Sequence, residues 1–133
     1  MSKSVILCVD DEKIILQSLR DQLQHNFGNQ FIYEFAESAD EALEVIEDLV
    51  LTRQSILLIV SDWLMPSMRG DELLIRVHKR YPDIITVMLT GQADDQAIER
   101  ARRHANLFNV VTKPWDEATL VDVIQSGLKE RHV

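Results

Sequence analysis

Five short apolar runs alternate along the chain with five longer segments whose apolar residues recur every three or four positions. The most uniform run is Ile56-Leu57-Leu58-Ile59-Val60, which leads through Ser61 into Asp62 and is stopped by Pro66. A short run this rich in Ile, Leu and Val, without polar alternation, predicts a strand buried on both faces, as in the interior of a parallel sheet. Proline cannot continue such a strand, so Asp62 falls at its carboxyl end. Val5–Val9 reads as the first strand, Phe31–Ala36 as the second and Ile84–Leu89, ending at Thr90-Gly91, as the fourth. Leu107–Thr112 reads as the fifth; Asn109 interrupts it, which an edge strand tolerates.

The intervening segments carry helical periodicity and end signals. Ile15, Leu16, Leu19, Leu23 and Phe27 form one stripe, with Asp11 and Glu12 suited to the helix N-terminus and Gly28-Asn29 closing it. Ser38 and Glu41 resemble a capping box opening a helix of Ala42, Leu43, Val45, Ile46, Leu49 and Val50, which continues to about Thr52. A third helix follows Gly70 and ends before Tyr81-Pro82. The fourth starts near Asp94-Asp95 on a thin apolar side of Ile98, Ala101 and Ala105. Its bases Arg100, Arg102, Arg103 and His104 read as a solvated face that complements the helix dipole. The fifth runs from Asp116 or Glu117 to about Lys129, with Leu120, Val123, Ile124 and Leu128 inward.

Strict strand–helix alternation with short connections predicts an α/β fold, a (βα)5 doubly wound parallel sheet; the flavodoxin-like strand order 2-1-3-4-5, the order we expect, would place the switch point between strands 1 and 3. Composition narrows the class. The 133 residues suit one domain with one core, residues 1–133, which could equally be a piece of a longer multidomain protein. With 22 acids against 14 bases, a net charge of −8 and no basic stripe argue against direct nucleic-acid binding and against docking on an anionic membrane. No apolar run approaches the ~18 residues of a spanning helix, and the first residues lack signal-peptide architecture. Lone Cys8 lies inside an apolar run, so no disulfide framework is possible and an inert buried thiol is expected. These features together lead us to expect a soluble, cytoplasmic protein.

The unusual polar residues sit at carboxyl ends of strands: Asp10 and Asp11 after the first, Asp62 at the third, Thr90 at the fourth, Lys113 at the fifth. In a parallel sheet these ends share one edge, where open α/β sheets place their ligands. Three converging carboxylates raise one another's pKa unless a cation compensates. Mg2+ accepts carboxylates, waters and phosphate oxygens together, and Lys113 adds positive charge. This set suits phosphoryl transfer, with Asp62 as the oxygen nucleophile that forms an acyl phosphate. No general base is needed, because a carboxylate is already deprotonated at neutral pH.

Asp10-Asp11, the stretch Asp62 to Gly70 (Asp-Trp-Leu-Met-Pro-Ser-Met-Arg-Gly), Thr90-Gly91 and Lys113-Pro114, in order and at the right strand ends, together resemble the receiver domain of two-component response regulators, of the chemotaxis-receiver kind. The resemblance covers nearly the whole chain. It implies that Asp62 accepts a phosphoryl group from a sensor histidine kinase or histidine phosphotransfer protein. It implies that Asp11 and Asp62 are side-chain ligands of Mg2+ (or Mn2+), that Asp10 holds a metal-bound water and that the backbone carbonyl of Leu64 completes the metal site. Thr90 is then the switch hydroxyl, Lys113 the partner of a phosphoryl oxygen, and the Lys113–Pro114 peptide is cis. Phosphorylation would switch the helix 4–strand 5–helix 5 face toward an output domain, a downstream protein or a second copy. The chain would not itself be an enzyme, apart from self-dephosphorylation.

Two positions depart from the family. Val110 stands where Tyr or Phe is frequent, which puts the threonine–aromatic coupling in question, and Gly91 stands where Ala is usual. Phe108, two residues before Val110, shares its face by strand parity and could substitute in part. Thr112 to Asp116 resembles the ending of receivers attached to cyclic-nucleotide or phosphatase output domains. Trp63 is expected at the rim of the site in a structural role, and Trp115 either beneath helix 5 or exposed. His25, His78, His104 and His132 have no metal-ligand spacing and read as surface residues. A pseudo-receiver acting only as a binding or dimerisation module is the alternative. A metal-dependent phosphatase would want an acid where Leu64 stands, and a flavodoxin's phosphate would be repelled by Asp10-Asp11-Glu12.

Overall fold

A computed structural model describes residues 3–92 and 95–131; Asp94, His132 and Val133, on which parts of the sequence reading fell, lie outside them. The elements run β1 (Val5–Val9), α1 (Lys13–Phe27), β2 (Ile32–Ala36), α2 (Ala39–Leu51), β3 (Ile56–Asp62), α3 (Gly70–Arg80), β4 (Ile85–Thr90), α4 (Asp95–His104), β5 (Asn109–Thr112) and α5 (Glu117–Arg131). All strands pair in parallel in the order β2-β1-β3-β4-β5, the expected flavodoxin-like arrangement.

Two apolar cores cover the sheet. One gathers Ala42 and Ile46 of α2, Leu73, Leu74 and Val77 of α3 and Ala101 of α4; the other gathers Leu16, Leu19 and Leu23 of α1 with Leu120, Ile124 and Leu128 of α5. β1 and β3 are buried at every residue, which is why they read as unbroken apolar runs. β2, at an edge, is buried only at Ala36. The pleat of β3 is interrupted at Leu57, the extra residue between the pairs Val5↔Ile56 and Ile6↔Leu58. Leu57 and Leu58 therefore both pack on the α1/α5 side, a period shift that the sequence does not mark. Cys8 is fully buried, and burial pushes its thiol up to about 12, so it is an inert packing residue.

Local chemistry fixes the ends. Ser38 Oγ accepts the Glu41 N–H at 3.0 Å, while Glu41 Oε1 accepts the N–H of Glu37 at 3.1 Å, one residue before the cap. Ser38→Ala is expected to cost about 1 kcal/mol, read as a lower urea midpoint; an unchanged midpoint contradicts that role. Val50 is 42 % exposed and Leu51 80 %. The apolar stripe of α2 thus ends at Leu49, two residues before the helix does.

His25 and His104 are exposed as expected. His78 is not a surface residue: it is half-buried, with Nδ1 shielded from solvent, because α3 is covered by both α2 and α4. Trp115 packs on the α1/α5 core, and its Nε1 donates to Gln22 Oε1 of α1 at 2.7 Å.

Candidate functional site

The carboxyl ends of β1, β3, β4 and β5 bring the sequence-marked residues together. Lys113 follows β5, and its backbone N–H donates to the Thr90 carbonyl at 2.9 Å, extending the β4–β5 ladder past the strand. From there Lys113 Nζ reaches Asp10 Oδ2 at 2.8 Å and Asp62 Oδ1 at 3.0 Å, with Glu12 Oε1 farther off at 3.9 Å. Asp10 is fully buried, and its other oxygen accepts the Glu12 N–H at 2.8 Å, so the same carboxylate anchors the start of α1. Asp11 is exposed. Thr90 is 6 % exposed, and its hydroxyl oxygen accepts the Gln92 N–H at 3.1 Å. The Lys113–Pro114 peptide is cis.

Behind β3, the Trp63 N–H donates to the Leu89 carbonyl at 2.9 Å and the Gly70 N–H to the Trp63 carbonyl at 2.7 Å. Trp63, the first residue of the loop 63–69, is thus held to β4 through its N–H and to the start of α3 through its carbonyl. Glu12, Asp62, Trp63, Leu64, Thr90, Gly91, Gln92 and Lys113 line a cleft of about 200 Å³. Leu64 turns its side chain outward, 61 % exposed.

Burial pushes the Asp62 carboxyl up to about 6; the hydrogen bond from Lys113 opposes this, and the charges of Asp10 and Asp11 add to it. Lys113 is itself desolvated, which would lower it, but its contacts with Asp10 and Asp62 outweigh burial and hold the ammonium above the ordinary lysine value. One carboxylate oxygen each from Asp10, Asp11 and Asp62 lie within 4.8 Å of one another. A hard divalent cation at ~2.1 Å from each ligand spans about 4 Å between opposite oxygens, so the cluster fits such an ion with small side-chain adjustments. The fit also has an electrostatic reason: a cation would offset the charges of Asp10 and Asp11, which add to the effect of burial on Asp62.

The family profile described as response regulator receiver domain matches residues 6–125. The chain belongs to the response regulator receiver family. Over 127 residues it is 28 % identical to the hydrogenase transcriptional regulatory protein HoxA of Cupriavidus necator, covering 96 % of this chain and 24 % of HoxA. It is 32 % identical over 120 residues to the response regulator protein FleR of Pseudomonas aeruginosa, covering 90 % of this chain and 23 % of FleR. The chain therefore spans about a quarter of the length of these two relatives. Among solved structures, the signal receiver domain of an HD domain-containing protein from Pseudomonas fluorescens Pf-5 is 30 % identical with a TM-score of 0.86, covering 98 % of each chain.

Receiver domains bind Mg2+ in an acidic pocket and are generally non-enzymatic signalling modules, and the Asp10, Asp11 and Asp62 cluster is consistent with such a pocket. Among the described residues no helix is long and apolar enough to cross a membrane.

One expectation about the switch is corrected. Phe108 does not share a face with Val110: Val110 packs against the α2/α3/α4 core and Phe108 against the α1/α5 core. The regular pleat begins only at Asn109, after Asn106 with φ 49°, so strand parity does not extend back to Phe108. Val110, on the α2/α3/α4 side of the sheet, thus has no aromatic stand-in in Phe108. Sequence reasoning also missed a side-chain cluster next to the site. Asp71, taken only as part of a helix start, is fully buried and paired with Arg69 and Arg100. Arg100, taken as a solvated base, also donates to Glu72 Oε2 at 2.8 Å. An acid directly after the glycine that opens α3, with a base two residues before it, was the available signal.

Proposed function

We propose that Asp62 is the phosphoacceptor of a two-component switch. The observation that carries this reading is the convergence of the buried Asp62 carboxylate with Asp10 and Asp11 on one side and Lys113 Nζ, 3.0 Å away, on the other. A carboxylate oxygen of Asp62 attacks the phosphorus of a phosphohistidine on a sensor kinase or phosphotransfer protein. The P–N bond breaks, its electron pair leaves with the imidazole, and an acyl phosphate forms. Lys113 pairs with one phosphoryl oxygen, and the Thr90 hydroxyl turns from the Gln92 N–H toward another.

Asp11 and Asp62 would hold Mg2+ (or Mn2+) through their side chains, with Asp10 placed to hold a metal-bound water and the Leu64 backbone carbonyl to complete the set. The ion supplies charge neutralisation for the incoming phosphoryl oxygens. That Asp10 already has both oxygens engaged supports an indirect role for it. Water reaching the acyl phosphate through the same cleft returns phosphate and resets the switch.

We read residues 1–133 as a single receiver domain, which the quarter-length coverage of HoxA and FleR allows to be one part of a longer multidomain regulator. The α4–β5–α5 face is the surface we assign to an output domain, a downstream protein or a second copy. Phosphoryl transfer from such a kinase or phosphotransfer protein would take place in the cytoplasm, where we take this domain to act. Trp63 lines the cleft, so its fluorescence reports the site. Titration with Mg2+ and then with beryllofluoride, an unreactive phosphoryl mimic, is expected to change that emission in wild type and not in Asp62→Asn. A wild type that stays silent with Mg2+ in excess overturns the reading and leaves a phosphorylation-independent binding module.

A further inference from the structure

Asp71 is the second residue of α3, and its carboxylate is fully shielded from solvent. An ionised carboxylate in such a place is costly unless paired on several sides, and here both partners are guanidinium groups from other segments. Arg69, in the loop after β3, donates from Nη2 to Asp71 Oδ2 at 3.3 Å and brings Nε to 3.3 Å from Oδ1, a charge contact that leaves Oδ1 without a hydrogen bond. Arg100, in α4, brings Nη1 to Oδ2 at 3.1 Å and Nη2 to Glu72 Oε2 at 2.8 Å, spanning two consecutive acids of the first turn of α3. Arg76 holds Glu72 from below at 3.1 Å.

Two further observations link this cluster to the acceptor. Gly70, directly before Asp71, donates to the Trp63 carbonyl at 2.7 Å and packs so closely on the Asp62 carbonyl that a Cβ would collide with it. Arg69 also places its guanidinium 6.0 Å from the Trp63 ring centroid. Little slack remains between Asp62 and Asp71. On the other side, α4 is weakly anchored by apolar contacts: Ala97 and Ala101 are its buried residues, and Ile98 is half-buried. Small side chains bury little area, so polar pairing has more than its usual share in fixing where α4 lies. On the same side of the sheet, β5 contributes only the half-buried Val110 to the α2/α3/α4 core.

We propose that Asp71 is a positioning residue of the switch, coupling the acceptor loop to α4 through Arg69 and Arg100. This rests on Asp62 being the acceptor. A movement of the loop 63–69 on phosphorylation displaces the Asp71 carboxylate, and the two-pronged Arg100 contact carries the displacement into α4. Coupling of this kind requires an element whose placement both sites bias, and the Arg100 fork is that element.

Amide NMR shifts of the full chain, recorded with Mg2+ and beryllofluoride, separate the two claims. The wild type is expected to respond around Asp62, Thr90 and Lys113 and throughout 95–104. Arg100→Gln keeps the first response and loses most of the second. Arg100→Lys, which retains charge but reaches one acid at a time, falls between them and decides the matter if the glutamine variant frays α4. Overturning outcomes are distinct. An intact site response with an undiminished α4 response in Arg100→Gln removes the clamp from the switch while leaving the acceptor in place. No site response in the wild type removes the acceptor, and the clamp's role with it.

Discussion

Asp62→Asn is expected to fold more tightly than the wild type at neutral pH in metal-free buffer, while losing all phosphoryl acceptance. The argument is one of linkage. Burial and the neighbouring charges of Asp10 and Asp11 outweigh the Lys113 contact and push the folded-state carboxyl up to about 6. In the unfolded chain it titrates near the ordinary aspartate value of about 4. Between these values the folded state binds the proton more tightly, so wild-type stability falls as pH rises through the window, and the cost is fully present above about pH 6. Asparagine keeps the shape and an oxygen for Lys113 but carries no titrating charge.

A two-unit shift corresponds to about 3 kcal/mol as an upper bound, and water at the cleft mouth screens it to about 1–2 kcal/mol. Urea unfolding across pH is expected to show the two proteins converging below about pH 4 and the variant ahead above about pH 6. A variant less stable than the wild type at neutral pH contradicts this account of the site. Saturating Mg2+ is expected to raise the wild-type midpoint more than that of the variant, since an ion that binds only the folded site adds its binding free energy to stability.

Gly70→Ala is expected to be the most damaging single-carbon change described here. The requirement is for space: an alanine Cβ would meet the Asp62 carbonyl oxygen far inside contact distance and lie 3.0 Å from Trp63 Cα. Both neighbours are backbone, held by the β3–β4 ladder and by the Trp63–Leu89 hydrogen bond, so neither can rotate away as a side chain would. Overpacking of this kind costs about 3 kcal/mol. Relief by moving α3 outward would shift Asp62 itself. The variant is therefore expected to lose urea stability and to need more Mg2+ for the fluorescence response. Wild-type values for both would show that the close approach is not needed.

Much of this was legible in the chain because parallel sheets impose strong rules. β1 and β3 are buried on both faces, so their residues are forced into unbroken Val, Ile and Leu runs. Strand ends in a parallel sheet share an edge, so Asp10, Asp62, Thr90 and Lys113 could be gathered without knowing a distance. What was not legible depends on how elements pack. Asp71 in a first helical turn looks like ordinary dipole complementation, and only the docking of α4 on α3 reveals that it is buried between two arginines. Phe108 was assigned a face by alternation, but alternation holds only inside the pleat, and β5 starts one residue later. The bulge at Leu57 likewise leaves no mark in a run where every residue is apolar.

Incubation of the protein with Mg2+ and a small-molecule phosphoryl donor, followed by intact-mass spectrometry and peptide mapping, tests the central claim most directly. The account predicts one added phosphoryl group, labile to base as an acyl phosphate is, mapping to Asp62, dependent on the divalent ion and absent from Asp62→Asn. An unmodified wild type under the same conditions, or modification that persists in Asp62→Asn, would contradict it.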